Sequence, residues 1–153
     1  MSTFTLSLKL NTSASDEAVL MERFYQGFLM YNRLVSHARK RLRGLRQDKR
    51  YRAAMDSYRK GGRKKEELSA LRMEYGLSEY QFHSWISIQQ KKRKRYMDSL
   101  TAQKIASTVW KSVEDVLFRK GKTIHFKKLM DFTSMDGKNN AAGLRFRDKK
   151  LHW

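Results

Sequence analysis

The chain has 153 residues, with 34 Lys plus Arg against 15 Asp plus Glu and a formal net charge of +19. It contains no cysteine and no proline, which removes disulfide scaffolds, thiolate metal sites and cysteine nucleophiles and suits long unbroken helices. With 40% hydrophobic and 12% aromatic residues it has apolar material for a core, so it is not a disordered basic tail. No apolar run approaches the ~20 residues of a membrane span, and the first ten residues lack a basic start leading into an apolar stretch. A cytoplasmic protein is therefore expected. A charge this large repels itself unless a polyanion neutralises it, and nucleic acid is the first candidate.

In chain order, residues 3–10 alternate Phe4, Leu6, Leu8 and Leu10 with Thr3, Thr5, Ser7 and Lys9. That period of two predicts a half-buried strand that must pair with something later. Ser13 and Asp16 form a capping-box start. Leu20, Phe24, Phe28, Tyr31, Val35, Ala38 and Leu42 then recur at helical spacing, predicting a helix to about Gly44 with one apolar stripe. Its opposite face is predicted to carry Arg33, His37, Lys40 and Arg41. Further helices are predicted over about 49–60 and 64–75, broken by Gly61-Gly62 and by Gly76, a C-cap glycine. Ser78 with Gln81 caps another, in which Tyr80, Phe82, Trp85, Ile86 and Ile88 supply apolar mass. The last starts at Asp98 or Ser99 and ends at Gly121, with Ala102, Ile105, Ala106, Val109, Val113, Val116 and Leu117 on one face. Beyond it, 123–126, 132–134, 144–146 and 151–153 are predicted as short strands. The turn-rich stretch 135–143, with Asp136-Gly137 and Asn139-Asn140, separates two of them. The simplest architecture is α+β. The first strand joins the C-terminal ones in a small sheet or partial barrel, and residues 14–120 form a helical insertion.

The clearest functional signal is the clustering of basic residues. Arg39, Lys40, Arg41, Arg43, Arg46, Lys49, Arg50 and Arg52 fall close together, and Asp48 is the one acid among them. Arg59, Lys60, Arg63, Lys64 and Lys65 surround the double glycine, and Lys91, Lys92, Arg93, Lys94 and Arg95 are unbroken. Each Lys or Arg that meets a phosphate releases a condensed counterion, so such clusters dominate affinity and make it salt-dependent. A solvated helix face is the plain alternative, but carboxylates are too few to offset these charges. Arginine also suits bidentate phosphate contact and stacking on unpaired bases. Tyr51 and Tyr96, inside or beside basic runs, are the stacking candidates.

Catalysis has little support. Two-metal nuclease chemistry needs carboxylates gathered by the fold, whereas the acids here are scattered. His37, His83, His125 and His152 show no metal-ligand spacing, and there is no P-loop. No catalytic residue, metal site or cofactor is expected.

The order of certain segments resembles a known family. A short N-terminal strand leads into a helix reading Phe28-Leu29-Met30-Tyr31-Asn32-Arg33. Much later come a helix with Gln103 and Val116-Leu117-Phe118, then Gly121-Lys122-Thr123-Ile124-His125-Phe126-Lys127-Lys128 and a serine-bearing Phe132-Thr133-Ser134. This order, over essentially the whole chain, is similar to the N-terminal part of the TnpB family of transposon-encoded RNA-guided nucleases and of related miniature type V CRISPR effectors. That family has Gly-x-Pro-x-Phe-Lys here; this chain has Phe126 and Lys127, Ile124 in place of the proline, and Gly121 one residue before the pattern's glycine. The resemblance implies a wedge domain of oligonucleotide-binding-like barrel type from residues 1–13 and 121–153, and a recognition-type helical lobe from 14–120. It implies a grip on guide-RNA scaffold and on the guide–target heteroduplex, a task suited to a positive channel.

The family's RuvC-like nuclease and its zinc element follow the wedge, while this sequence ends at Trp153 within it, so cleavage is not expected. The expected function is a nuclease-lacking protein that grips a structured guide-type RNA in or against RNA-guided DNA targeting. It would serve as a guide-RNA decoy, an anti-CRISPR-like regulator or the RNA-binding subunit of a split effector, in a prokaryotic or phage-infected cell. The expected contacts are Arg39, Lys40, Arg43, Arg46, Arg50, Tyr51, Lys91, Lys92, Arg93, Lys94, Arg95, Tyr96, Lys122 and Lys127. The expected partners are a guide-type RNA or an RNA–DNA heteroduplex, and an effector protein. The competing readings are a protein-docking inhibitor that uses the edge of the C-terminal strands, and a DNA-binding, transposase-derived fragment.

Overall fold

Helix α1 (Ala14–Gln47) starts where the capping box places it, with the Ser13 hydroxyl accepting the Asp16 N–H and the Asp16 carboxylate accepting the Ser13 N–H. The computed structural model, which describes residues 7–119 and 121–153, is mostly helical with a small antiparallel sheet, an α+β fold. One residue separates α1 from α2 (Lys49–Arg59): Asp48, whose carboxylate accepts the Arg50 N–H. Helix α3 (Lys65–Glu74) ends on Gly76, at φ 68°, with Gly76 and Leu77 donating to the Met73 and Arg72 carbonyls. Only a residue tolerant of that left-handed conformation closes the helix so tightly. Ser78 caps α4 (Glu79–Lys91), and Asp98 caps α5 (Ser99–Phe118) by accepting from the Leu100 and Thr101 N–H groups. Among the described residues no helix is long and apolar enough to cross a membrane.

Helix α1 is the spine. Helices α5, α4 and α2 pack on it, α4 also lies against α5, and α3 against α2. Because α1 is covered on more than one side, its fully buried residues include Met30, Leu34 and Leu45, which lie outside the predicted stripe. The same geometry corrects the predicted solvent face. The His37 ring packs 4.6 Å from Trp85, and Arg41 donates to His37 Nε2 at 2.6 Å and to the Tyr75 carbonyl at 2.8 Å. Arg33 and Lys40 stay exposed. On α4, Phe82 and Ile86 enter the core, whereas Tyr80 and Ile88 face outward.

The C-terminal region departs most from expectation. Residues 122–128 and 132–134 are extended or irregular rather than paired strands. They work as a strap with single anchors. Ile124 and Phe132 are buried in the same hydrophobic cluster as the helices, each burial contributing about 2 kcal/mol. The Phe132 ring lies edge-on to Phe24 and Phe28. Gly27 makes this possible, since a Cβ there would sit 2.5 Å from Met135 Sδ and 3.1 Å from Phe132. A strand ladder is replaced by a side chain: the Asn32 amide donates to the Lys127 carbonyl at 2.9 Å and accepts the Lys127 N–H at 3.0 Å. Both backbone groups are thus satisfied without a neighbouring strand.

The sheet consists of β1 (Arg145–Arg147) and β2 (Lys150–His152), which pair Arg145 with His152, Phe146 with Leu151 and Arg147 with Lys150. The last two of the four predicted C-terminal strands are therefore present, shifted by one residue each. Their hairpin turn is Asp148-Lys149, with φ 51° and 57°, the pair of positive values that a two-residue turn matched to strand twist requires. Asn140 clasps Phe146 as Asn32 clasps Lys127, with both backbone groups bonded at 2.8 and 2.6 Å. The predicted N-terminal strand lies partly outside the described residues; the part within them, 7–10, is exposed and in no sheet. Its tail nevertheless lines one cleft of about 750 Å³ together with α1 and the hairpin, through Leu8 and Leu10, Val19, and Phe146 and Leu151. The predicted sequence partners are brought side by side, but without a shared ladder.

Candidate nucleic-acid interface

Arg39, Arg43 and Arg46 stand at i, i+4 and i+7 on α1, so they share one face. All three are exposed, and among the described residues none has a carboxylate within ion-pair distance. The strap runs past this face and creates a groove of about 230 Å³. Leu42, Val116 and Ile124 give it an apolar floor. The three arginines, with Gln47 and Thr123, form the rim. The Arg39 guanidinium lies 5.1 Å from the centre of the Phe126 ring, a cation–π contact that holds it in place. Lys122 is exposed beside Thr123, and Lys40 on the next strip of α1. Lys127 is half-buried, its ammonium held 5.0 Å from the Tyr31 ring and 5.5 Å from the Phe132 ring.

The predicted contacts therefore separate into two kinds. Arg50 does not belong to the open face. Its guanidinium bridges Asp48 and Glu74, at 2.8 Å each, tying α2 to α3. Those partners raise its pKa and spend its donors. The Arg50 side chain and the Tyr75 hydroxyl in turn help hold the Asp48 carboxyl down at about 2. Tyr51 is buried at 8% exposure, so its ring packs the core and no base can stack on it. Both placements have one cause: α2 folds back against α1 and α3, and the residues at its start are used for that junction.

The second basic run follows the end of α4 and forms a turn rather than a helix face. Buried Gln90 fixes its far end by donating to the Met97 carbonyl at 2.7 Å. Lys91, Lys92, Lys94 and Arg95 are exposed. Arg93 turns inward, donating to Gln26 Oε1 and the Gln89 carbonyl, and its pKa is lowered by burial and by the neighbouring Arg33 charge. Tyr96 is half-buried, with the Arg95 guanidinium 5.7 Å from its ring centre and its carbonyl accepting from Arg23. Gln26, through Arg93, and Arg23, through the Tyr96 carbonyl, thus dock this turn on α1, with Gln26 about 20 Å along the helix before the Arg39 face begins.

Several residues of the groove carried no signal in the sequence. Gln47 stands in no predicted motif, and Thr123 and Val116 read as a strand position and a stripe position rather than as contacts. Among the described residues no group of three or more His, Cys, Asp or Glu side chains is placed to hold a metal ion. Comparison with protein-family models, with curated proteins and with solved structures returns no match.

Proposed function

We propose that this protein binds a structured RNA of guide type through the Arg39–Arg43–Arg46 face, acting in or against RNA-guided DNA targeting. One observation carries the reading: three unpaired arginines from one helix face and a strap distant in sequence converge on a single groove. Arginines without carboxylate partners keep their donors for phosphate, and the net charge of +19 supplies the long-range attraction. Lys40, Lys122 and the exposed members of 91–95 extend the grip. In this reading residues 1–13 and 121–153 correspond to the wedge of TnpB-like proteins, with its oligonucleotide-binding-like barrel, and 14–120 to their recognition lobe. The role is a grip rather than a cut, either occupying a guide RNA or presenting it to an effector.

The test is a titration of structured guide-scaffold RNA and of matched duplex DNA at about 200 mM salt, where non-specific phosphate binding has largely faded. Tight binding to the RNA alone is expected. Equal, weak binding to both would end the reading.

A second reading, docking on an effector protein, is favoured by the cleft beside the hairpin, where Phe146 and Leu151 remain exposed. Charge reversal at Arg39, Arg43 and Arg46 separates the two. It abolishes activity if RNA is the target and spares it if the hairpin edge is.

A further inference from the structure

The groove beside Arg39 has a chemistry that a phosphate-binding ridge does not need. A ridge that only tracks a backbone requires charge on its surface. Here the charge surrounds a recess whose floor is apolar, with Leu42 and Ile124 only 5% and 2% exposed and Val116 half-buried beside them. The rim adds an amide at Gln47 and a hydroxyl at Thr123, and neither side chain has a hydrogen-bond partner among the described residues. An apolar floor suits the flat face of a base, an amide matches the donor and acceptor pattern of a base edge, and guanidinium groups suit the flanking phosphates. At about 230 Å³ the recess is below the range of roughly 300 Å³ and above typical of drug-sized ligands. That room matches one nucleotide rather than a run of stacked bases.

We infer that this groove receives a single unpaired nucleotide of the bound RNA, base against Leu42, Val116 and Ile124, edge toward Gln47, and phosphates between Arg39, Arg43 and Arg46. The inference rests on the RNA-binding reading above and names the feature of the RNA that the site selects. A bulged nucleotide fits best, because a paired base would first have to be unstacked at a cost of a few kcal/mol. The Arg39–Phe126 contact contributes by fixing one phosphate-binding group before the RNA arrives.

The experiment uses the full chain and three short RNA hairpins that differ only at one position: a one-nucleotide bulge, the same bulge made abasic, and no bulge. Fluorescence anisotropy at fixed salt is expected to show the base-bearing bulge binding about tenfold tighter than the paired hairpin, as one base–protein contact of this kind provides. The abasic hairpin should bind like the paired one. Thr123→Trp, which fills the groove from its exposed rim, should bring the bulged-to-paired ratio down to about one. Gln47→Ala should flatten differences among hairpins carrying each of the four bases in the bulge. If the three hairpins bind alike but well, the nucleotide pocket is wrong while RNA binding stands. If none binds, both fail. A bulge preference that survives Thr123→Trp would place the base elsewhere and overturn the assignment.

Discussion

Arg46 and Arg50 are one helical turn apart in sequence, and the fold gives them opposite tasks. Arg46 belongs to an exposed face of α1 with Arg39 and Arg43, where no carboxylate approaches. Arg50 belongs to a chain of contacts on the other side of the spine. There His37 accepts from Arg41, Arg41 donates to the Tyr75 carbonyl, the Tyr75 hydroxyl donates to Asp48, and Arg50 bridges Asp48 to Glu74. One region holds its charges open for a partner, and the other consumes them to join α1, α2 and α3. A basic cluster is therefore not one functional unit. What each arginine does depends on whether the fold has brought a carboxylate or carbonyl within reach.

The largest expected effect tests the open side. Replacing Arg39, Arg43 and Arg46 with Glu should lower RNA affinity by about 100-fold or more, with little change in thermal stability, because three phosphate contacts become repulsive. A large loss of Tm in that variant would show that the face is structural. The joined side should respond in reverse. Asp48→Ala removes the α2 cap and the partner of both Arg50 and Tyr75, so Tm should fall by about 4 °C while RNA affinity stays within about twofold. The same carboxylate has a pH signature. Its folded-state pKa of about 2 is below the ordinary 3.8, so its contribution is complete above pH 4 and disappears as pH falls from about 4 to about 2. Asp48→Ala should lose that part of the acid unfolding curve.

His37 sharpens the comparison at milder pH. Burial, followed by the charges of Arg41 and Lys40, lowers its pKa from 6.5 to about 4. Below pH 6.5 the unfolded chain takes up a proton that the folded chain refuses. Stability is thus complete above pH 6.5 and declines as pH falls toward 4. The loss is on the order of 1 kcal/mol, below the full linkage value because the ring remains partly exposed to solvent. Thermal melts across that range should show the decline, and His37→Phe should remove it. The smallest effect expected is that of Arg39→Lys. It keeps the charge but loses the planar group held on Phe126, so RNA affinity should fall by only about threefold. An unchanged affinity would mean that the aromatic contact does not pre-position the group.

How much was legible varies with how local the cause is. Ser13, Ser78 and Asp98 mark three helix starts in the sequence and cap them in the structure, because a side chain that bonds an N–H two or three residues on needs no distant partner. Gly76 likewise marks the end of α3. The C-terminal segments misled the pattern. Residues 122–126 have the composition of a strand, yet Ile124 is buried alone between helices and Asn32, far upstream, occupies the Lys127 backbone. Alternation in sequence says that one face is apolar, but not whether that face meets another strand or a helix. The site divides in the same way. Arg39 and Arg43 could be placed on one face from spacing alone, but the helix end predicted near Gly44 left Arg46 outside that face until α1 ran on to Gln47. Tyr51, Arg50 and Arg93 read as equally good contacts until α2 and the 91–95 turn folded inward.

By itself, the sequence determined the helices, most of their ends, the α+β class and an excess of positive charge concentrated in a few stretches. Those properties arise from short-range hydrogen bonding and from composition, which act within a few residues. Only the tertiary structure decided which charges remain free, that the strap packs on helices instead of extending a sheet, and that an apolar floor lies beneath three arginines. These depend on contacts across about a hundred residues of chain, such as that of Asn32 with Lys127. Local patterns cannot specify them, because the same side chain lowers the free energy in several different neighbourhoods and packing selects one.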